Sequence, residues 1–368
     1  MNLRICDNAI YWFHRVLVKM GKIRASSLGE IQRDGFQRVL VVATTAIGDA
    51  VLCTPLIDSL RAAQPKAKIG FLVSAAAVSL FEGYSRLNAV LPYYGKYRRV
   101  KQTMKLLREE RYDLALVANA NDPDVIPMIW WSGCKRILRR PQRHTIYSFM
   151  VANPEMLSRL HTSGHAIERN LQFCDLLKIA RGKSRMSLEI QEDARKRAEE
   201  MMKGCAMPWW VIHPGASRPK KEWGIANYAN LACRILDMQK GTLILTGSRK
   251  EKKTCHRVEF KIGLGHRVCN LGGKLGLAEL AALFSKAQLL ISGDTGPYHI
   301  AMAVGTPTVT LFAPWDIGSS PKINGPYFDQ ERHLVVETER MGDPIATISV
   351  EQVFKACELF FLKTSTNF

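Results

Sequence analysis

The chain has 368 residues, 47% hydrophobic and 23% charged, enough for two ordinary domains with packed cores. Its 52 Lys and Arg against 33 Asp and Glu give a net charge of +19, which predicts an anionic partner such as nucleic acid, phospholipid or a phosphorylated substrate. The nine cysteines are odd in number, widely spaced and form no C-x-x-C pair, which argues against a disulfide framework or zinc site and for a reducing compartment. Charge alone does not choose among the anionic partners, and solubility would also account for it.

Residues 1–36 carry no secretory cleavage pattern. Trp12, Phe13, Val16 and Leu17 alternate there with Arg15, Lys19, Lys22 and Arg24, as on a helix lying in a membrane interface. An arm packed on the same protein fits equally well.

The stretch VLVVATTAIGDAVLCTPLI, residues 39–57, is long enough to span a bilayer. Asp49 near its centre would cost several kcal/mol in lipid, and Pro55 would break a continuous helix. It divides better into a buried parallel strand at 38–43, a turn, and a helix that begins near Asp49, which occupies an N-cap position. Further strands are read at KIGFLVS and YDLALVAN, then a helix at HAIERNLQFCDLLKIA and a charged helix at 190–203. A second series follows: WWVIHPGAS, a strand running into a loop; GTLILTGS and AQLLISGDTG, strands ending in small polar turns; PTVTLFAP, one more strand; helices at NYANLACRILDM and LAELAALFSKA; and a last helix at VEQVFKACELFFLK. Strands alternating with helices imply parallel sheets, and two such series imply two doubly wound α/β domains.

Ligands of such sheets bind at the carboxyl ends of the strands. There is no G-x-G-x-x-G after the first strand and no G-x-x-x-x-G-K-[ST], so a dinucleotide oxidoreductase and a P-loop nucleotidase are disfavoured. HPGASRPKKEWG, residues 213–224, leaves a strand end with Gly215 and Ser217 in a tight turn and Lys220 and Lys221 just beyond, a composition suited to a phosphate or to a solvated lysine pair. SGDTGPYHIAMAVGTP, residues 292–307, ends a strand at Asp294, Thr295 and Gly296; Pro297 opens a helix whose free N–H groups suit a diphosphate, with His299 in its first turn.

In this order and spacing, TTAIGDAVLCTPLIDSLR, HPGASRPKKEW and GDTGPYHIAMAVGTPTVTLFAPWD resemble the bacterial lipopolysaccharide heptosyltransferases, glycosyltransferase family 9, over roughly residues 37–360. The resemblance implies a GT-B fold, two Rossmann-like domains facing a central cleft. It implies an N-terminal acceptor domain at 37–190, a donor domain at 191–347, and a C-terminal helix at 348–363 packing back on the first domain. It implies inverting transfer of heptose from ADP-L-glycero-D-manno-heptose to an anionic inner-core glycolipid, without metal or cofactor. The enzyme would be cytoplasmic and peripheral on the inner membrane, with no nucleic-acid partner. By position Asp49 matches the general base, and Lys221 the lysine near the donor phosphates. Ser217, Asp294, Thr295, Gly296 and His299 fall in the donor loops. Lys96, Arg98, Arg99 and Lys101, and Arg136 in a second basic run at 134–144, fall where acceptor-binding cations are expected. The usual FGPTDP ending reads FAPWDI here, with Ala313, Trp315 and Ile317, which leaves the exact donor open. Transfer of another sugar, transfer onto protein, and a non-catalytic nucleotide-sugar-binding protein are the alternatives.

Overall fold

The computed structural model describes residues 5–140, 146–154, 164–216, 218–263, 267–315 and 319–361. The chain forms two units, Met1–Ser184 and Arg185–Phe368, so the division falls slightly before the expected residue 190.

The first unit is built on five parallel strands: β1 (Arg38–Ala43), β2 (Lys68–Ser74), β3 (Ala89–Tyr93), β4 (Leu114–Asn119) and β5 (Ile137–Arg139), in the order β3-β2-β1-β4-β5. β1 and β4 are central and buried almost throughout, which is why they read as unbroken apolar runs. Strand order reverses between them, and the crevice outside their carboxyl ends is the binding position of such a sheet. Register also shifts there: Val42 pairs Val117, but Ala43 pairs Asn119. The irregularity re-aims the strand end, so that Asn119 and the Thr44–Asp49 turn lie together; the Thr44 N–H donates to the Asn119 carbonyl at 2.7 Å.

The second unit repeats the plan with β6 (Trp209–His213), β7 (Thr242–Leu245), β8 (Val268–Asn270), β9 (Leu289–Gly293), β10 (Thr308–Phe312) and β11 (His333–Glu337), all parallel, in the order β11-β10-β9-β6-β7-β8. Its order reverses between β6 and β9. The C-terminal helix, Val350–Phe361, was expected on the first domain. Its buried residues Val353, Phe354, Cys357, Phe360 and Phe361 instead join Trp210, Trp223 and Ile235 in the second unit's core.

Residues 5–36 are part of the first unit's fold rather than a separate extension. Ile23 and Ile31 are buried, and the Arg136 guanidinium donates to the carbonyls of Gly35 (2.5 Å) and Ile31 (3.3 Å). Ser27 and Glu30 form a capping box that starts the helix Leu28–Asp34.

Candidate active site

In the first unit the TTAIGD turn leads from β1 into a short helix, Ile47–Val51, whose N-cap is Ala46. Asp49 is therefore the third helical residue and not the cap itself. Its Oδ2 accepts the Thr45 hydroxyl and, at 3.3 Å, the Ala46 N–H, so the carboxylate reaches back over the helix start and supplies what alanine cannot. A second helix, Thr54–Ala63, follows with Pro55 in its first turn, so the single helix expected here is two. Asp49 is half-buried.

Two arginines lie within electrostatic reach of Asp49, and neither was singled out in the sequence. Arg140, just past β5, is buried; its Nη1 donates to Asn170 Oδ1 at 2.8 Å and its Nη2 to Asn119 Oδ1 at 2.7 Å. Asn170 is itself fixed by donation to the Leu52 carbonyl at 2.9 Å. Arg169 projects from the helix Ala166–Leu176, which His165 caps by accepting the Ile167 N–H at 3.2 Å. Burial draws both guanidinium groups down from the ordinary arginine value, Arg169 to about 10, while the Asp49 carboxylate pulls each back up. The end of the first sheet thus holds one carboxylate beside two desolvated cations, an arrangement able to hold an anionic ligand next to a proton acceptor.

The expected acceptor cations fare differently. Lys96 is paired with the buried Asp7, and Arg136 is committed to backbone carbonyls, so both hold the N-terminal segment in place. Arg98, Arg99 and Lys101 are exposed, Arg99 lying over the Tyr94 ring at 4.7 Å. Residues 141–144 of the second basic run lie outside the described residues, as do Ser217 and Ile317. Asp122 and Asp124, a paired-carboxylate spacing the sequence reading passed over, both accept from the Tyr93 hydroxyl at 2.8 Å.

In the second unit, β6 ends at His213, buried beside Thr246 (3.1 Å) and held neutral because burial lowers its pKa. Two residues on, Gly215 passes close to the Glu251 carboxylate: a Cβ there would lie 2.2 Å from Oε1, so a larger residue would push that side chain aside. The loop is pinned by Trp223, fully buried, whose indole N–H donates to the Ile348 carbonyl at 2.7 Å. This anchor explains why a lysine two residues upstream is useful. Lys221 is directed onto the end of β9, donating to Asp294 Oδ2 at 2.6 Å and the Asp294 carbonyl at 3.1 Å, while Lys220 is exposed. Thr295 is the N-cap of the helix Gly296–Ala303, with its hydroxyl buried and without a partner among the described residues, and Pro297 in the first turn. His299 is buried against Tyr298. Trp315, just past β10, places its ring 5.1 Å from Lys221 Nζ and 5.6 Å from the Arg218 guanidinium. The second switch point is thus a cation and a helix N-terminus converging on one spot, with an aromatic face over the cation.

A model of glycosyltransferase family 9 (heptosyltransferase) matches residues 100–346, about two thirds of the chain. The chain belongs to glycosyltransferase family 9. The matched span includes the Lys221 and Asp294–His299 loops and begins after Asp49. Relatives include the lipopolysaccharide core heptosyltransferase OpsX of Haemophilus influenzae, 24% identical over 74% of this chain and 78% of its own, and lipopolysaccharide heptosyltransferase 3 of Escherichia coli, 27% identical over 73% and 81%. Among solved structures, a glycosyl transferase family 9 protein of Veillonella parvula has a TM-score of 0.75 at 21% identity, covering 89% of this chain and 98% of its own. ADP-heptose LPS heptosyltransferase II of E. coli has a TM-score of 0.68 at 20% identity, covering 89% and 100%. These likenesses establish the expected GT-B class for this family-9 chain.

Proposed function

We propose that this glycosyltransferase moves heptose from ADP-L-glycero-D-manno-heptose to an inner-core sugar of a lipopolysaccharide precursor, at the cytoplasmic face of the inner membrane. The observation that carries the reading is the pairing of Lys221 with Asp294 at the start of the helix Gly296–Ala303, in a chain of family 9. Lys221 and the first-turn N–H groups would receive the diphosphate, and the Thr295 hydroxyl, without a partner among the described residues, would gain an acceptor there.

In the reaction, Asp49 takes the proton of an acceptor hydroxyl. The oxygen attacks the anomeric carbon as its bond to the β-phosphate oxygen breaks, the electron pair leaving with ADP and the configuration inverting. Lys221 and the helix N-terminus stabilise the charge that grows on the leaving oxygen, so protein groups take the part a divalent metal would otherwise play. Arg140 and Arg169 would hold an anionic substituent of the acceptor beside Asp49. The surplus of basic residues suits an acceptor anchored in an anionic bilayer.

The test is a mass-spectrometric transfer assay of ADP-heptose against truncated core acceptors, comparing the natural enzyme with Asp49→Asn. The carboxamide oxygen can still accept from Thr45 and Ala46, so the turn survives while the proton acceptor is lost. General-base assistance is worth about 10²–10⁴-fold, and a turnover loss of that size with ADP affinity retained is expected. Near-normal transfer by the variant would remove the catalytic role of Asp49. Tight ADP-heptose binding without transfer to any acceptor would favour the non-catalytic reading.

A further inference from the structure

We infer that the outward face of the N-terminal helix, Ile5–Lys19, docks on an anionic phospholipid bilayer. The inference rests on the membrane location proposed above and names the surface that achieves it.

The helix is fixed in rotation by its inner face. Asp7 accepts the Tyr97 hydroxyl at 2.8 Å and pairs with Lys96. His14 is buried, its Nδ1–H donating to the Ile10 carbonyl at 2.7 Å and its Nε2 accepting the Trp131 indole N–H at 2.9 Å. Burial lowers the pKa of this imidazole and keeps it in the neutral form that both bonds require. Tyr11 meets Tyr147 and Phe149 edge-on at 5.8 and 5.6 Å, and Leu17 and Val18 pack on the first unit's core.

With that face committed, Trp12, Phe13, Val16 and Met20 point away from the protein, at 61, 56, 50 and 61% exposure. At about 100° per residue the four fall within an arc of roughly 100°, away from the inward arc of buried Asp7 and His14 and half-buried Ile10 and Leu17. Scattered apolar side chains on a surface need no explanation, but a contiguous stripe of this size does. The occupant follows from what surrounds it. Lys19 and Lys22 are exposed at the end of the stripe, and Arg24 beyond them shares Glu30 at 3.8 Å. Tyr97 and Trp131, whose side chains hold the inner face, are themselves 38 and 43% exposed, and exposed Arg98, Arg99 and Lys101 continue from Tyr97.

An apolar centre carrying tryptophan, edged by cations and flanked by half-exposed aromatics, matches a headgroup region over acyl chains. A second copy of a chain with net charge +19 would bring like charges to the same edge. No described helix is long and apolar enough to cross a membrane, so the contact is one of lying on the surface.

The test is co-sedimentation of the full chain with vesicles of phosphatidylglycerol and phosphatidylethanolamine, and with pure phosphatidylcholine. Binding to the anionic vesicles should exceed that to the neutral ones and weaken with salt. Trp12→Gln/Phe13→Gln should lower the partition coefficient tenfold or more, to about the extent that two apolar side chains contribute. Lys19→Gln and Lys22→Gln should each lower it about fivefold. All four positions are exposed, so ADP affinity and transfer to a deacylated, water-soluble acceptor should not change. That second readout separates the two proposals: vesicle binding without transfer would sink the function and leave the surface standing. Variants that sediment like the natural protein, or equal binding to neutral vesicles, would overturn the docking surface. So would a dimer in solution that the Trp12→Gln/Phe13→Gln variant converts to monomer.

Discussion

Lys221 offers the sharpest test of the donor end. Lys221→Met keeps an unbranched side chain of similar reach and removes the ammonium. In the structure that ammonium donates two hydrogen bonds, both to Asp294, and lies 5.1 Å from the Trp315 ring, on a side chain only 16% exposed. A hydrogen bond to a charged group is worth about 1.5–3 kcal/mol, so losing one to the donor diphosphate should weaken ADP binding about 10- to 150-fold. Turnover should fall further, because the leaving oxygen gains charge in the transition state. Removing one preorganised donor at such a position costs about 10²–10³ in kcat. Lys220→Met, at an exposed position two contacts poorer, should change either quantity by less than about threefold.

The variant also leaves Asp294, 13% exposed, without its partner, at a cost of about 1–3 kcal/mol in stability. Lys221→Met/Asp294→Asn should restore the melting temperature without restoring turnover. Calorimetric ADP titration, transfer kinetics and thermal melts on the three variants check this. Equal small effects at both lysines, or recovery of turnover in the double variant, would refute the assignment.

Trp315→Thr, which restores the residue type usual in the family pattern, removes the aromatic face over Lys221 and Arg218. The ratio of kcat/KM for ADP-heptose against a smaller ADP-sugar, read by donor competition, should shift while Trp315→Phe keeps most of the natural ratio; an unchanged ratio in the threonine variant would exclude a selective role. His333 is buried beside Thr308, and burial pushes its pKa down to about 4. Its neutral form is thus favoured in the fold: the stabilisation is complete above the unfolded value near 6.5 and is lost as pH falls toward 4. Urea midpoints at pH 7 and 5 should show His333→Gln losing roughly 2 kcal/mol less than the natural chain over that interval.

Which elements were legible in the sequence follows from burial. β1, β2, β4, β6, β7, β9 and β10 were read close to their observed limits, and they are the interior strands of their sheets. The strands passed over, β3, β5, β8 and β11, are the edges of both sheets. An edge strand is covered on fewer sides, so it is short or mixed: β3 carries Pro92 with three half-exposed positions, and β8 is half-exposed throughout. The site divides in the same way. Lys221 and Asp294 could be found because backbone devices mark them, a glycine turn before one and a Thr–Gly–Pro helix start after the other. Arg140 could not be distinguished within RILRR, because what separates it from Arg136 is tertiary. One guanidinium is held by two amides beside Asp49, and the other by carbonyls of the N-terminal arm. The destination of the last helix was likewise set by packing partners that lie far away in sequence.

The two units share the order of their first five strands and carry different charged groups at the point where it reverses. In each, two central strands diverge and leave a crevice that must be lined by whatever turns follow them. In the first unit the turn after β1 returns a carboxylate over its own helix start, and the register shift in β4 swings Asn119 round to fix a buried arginine beside it. In the second, the long loop after β6 is nailed down by Trp223, so its lysine closes on the turn after β9, where a helix N-terminus adds its own positive end. One crevice is therefore lined by a carboxylate beside two buried guanidinium groups, and the other by a lysine at a helix N-terminus. That division follows from a single-residue register shift and one buried tryptophan, features of turns and strand ends that leave both sheets untouched.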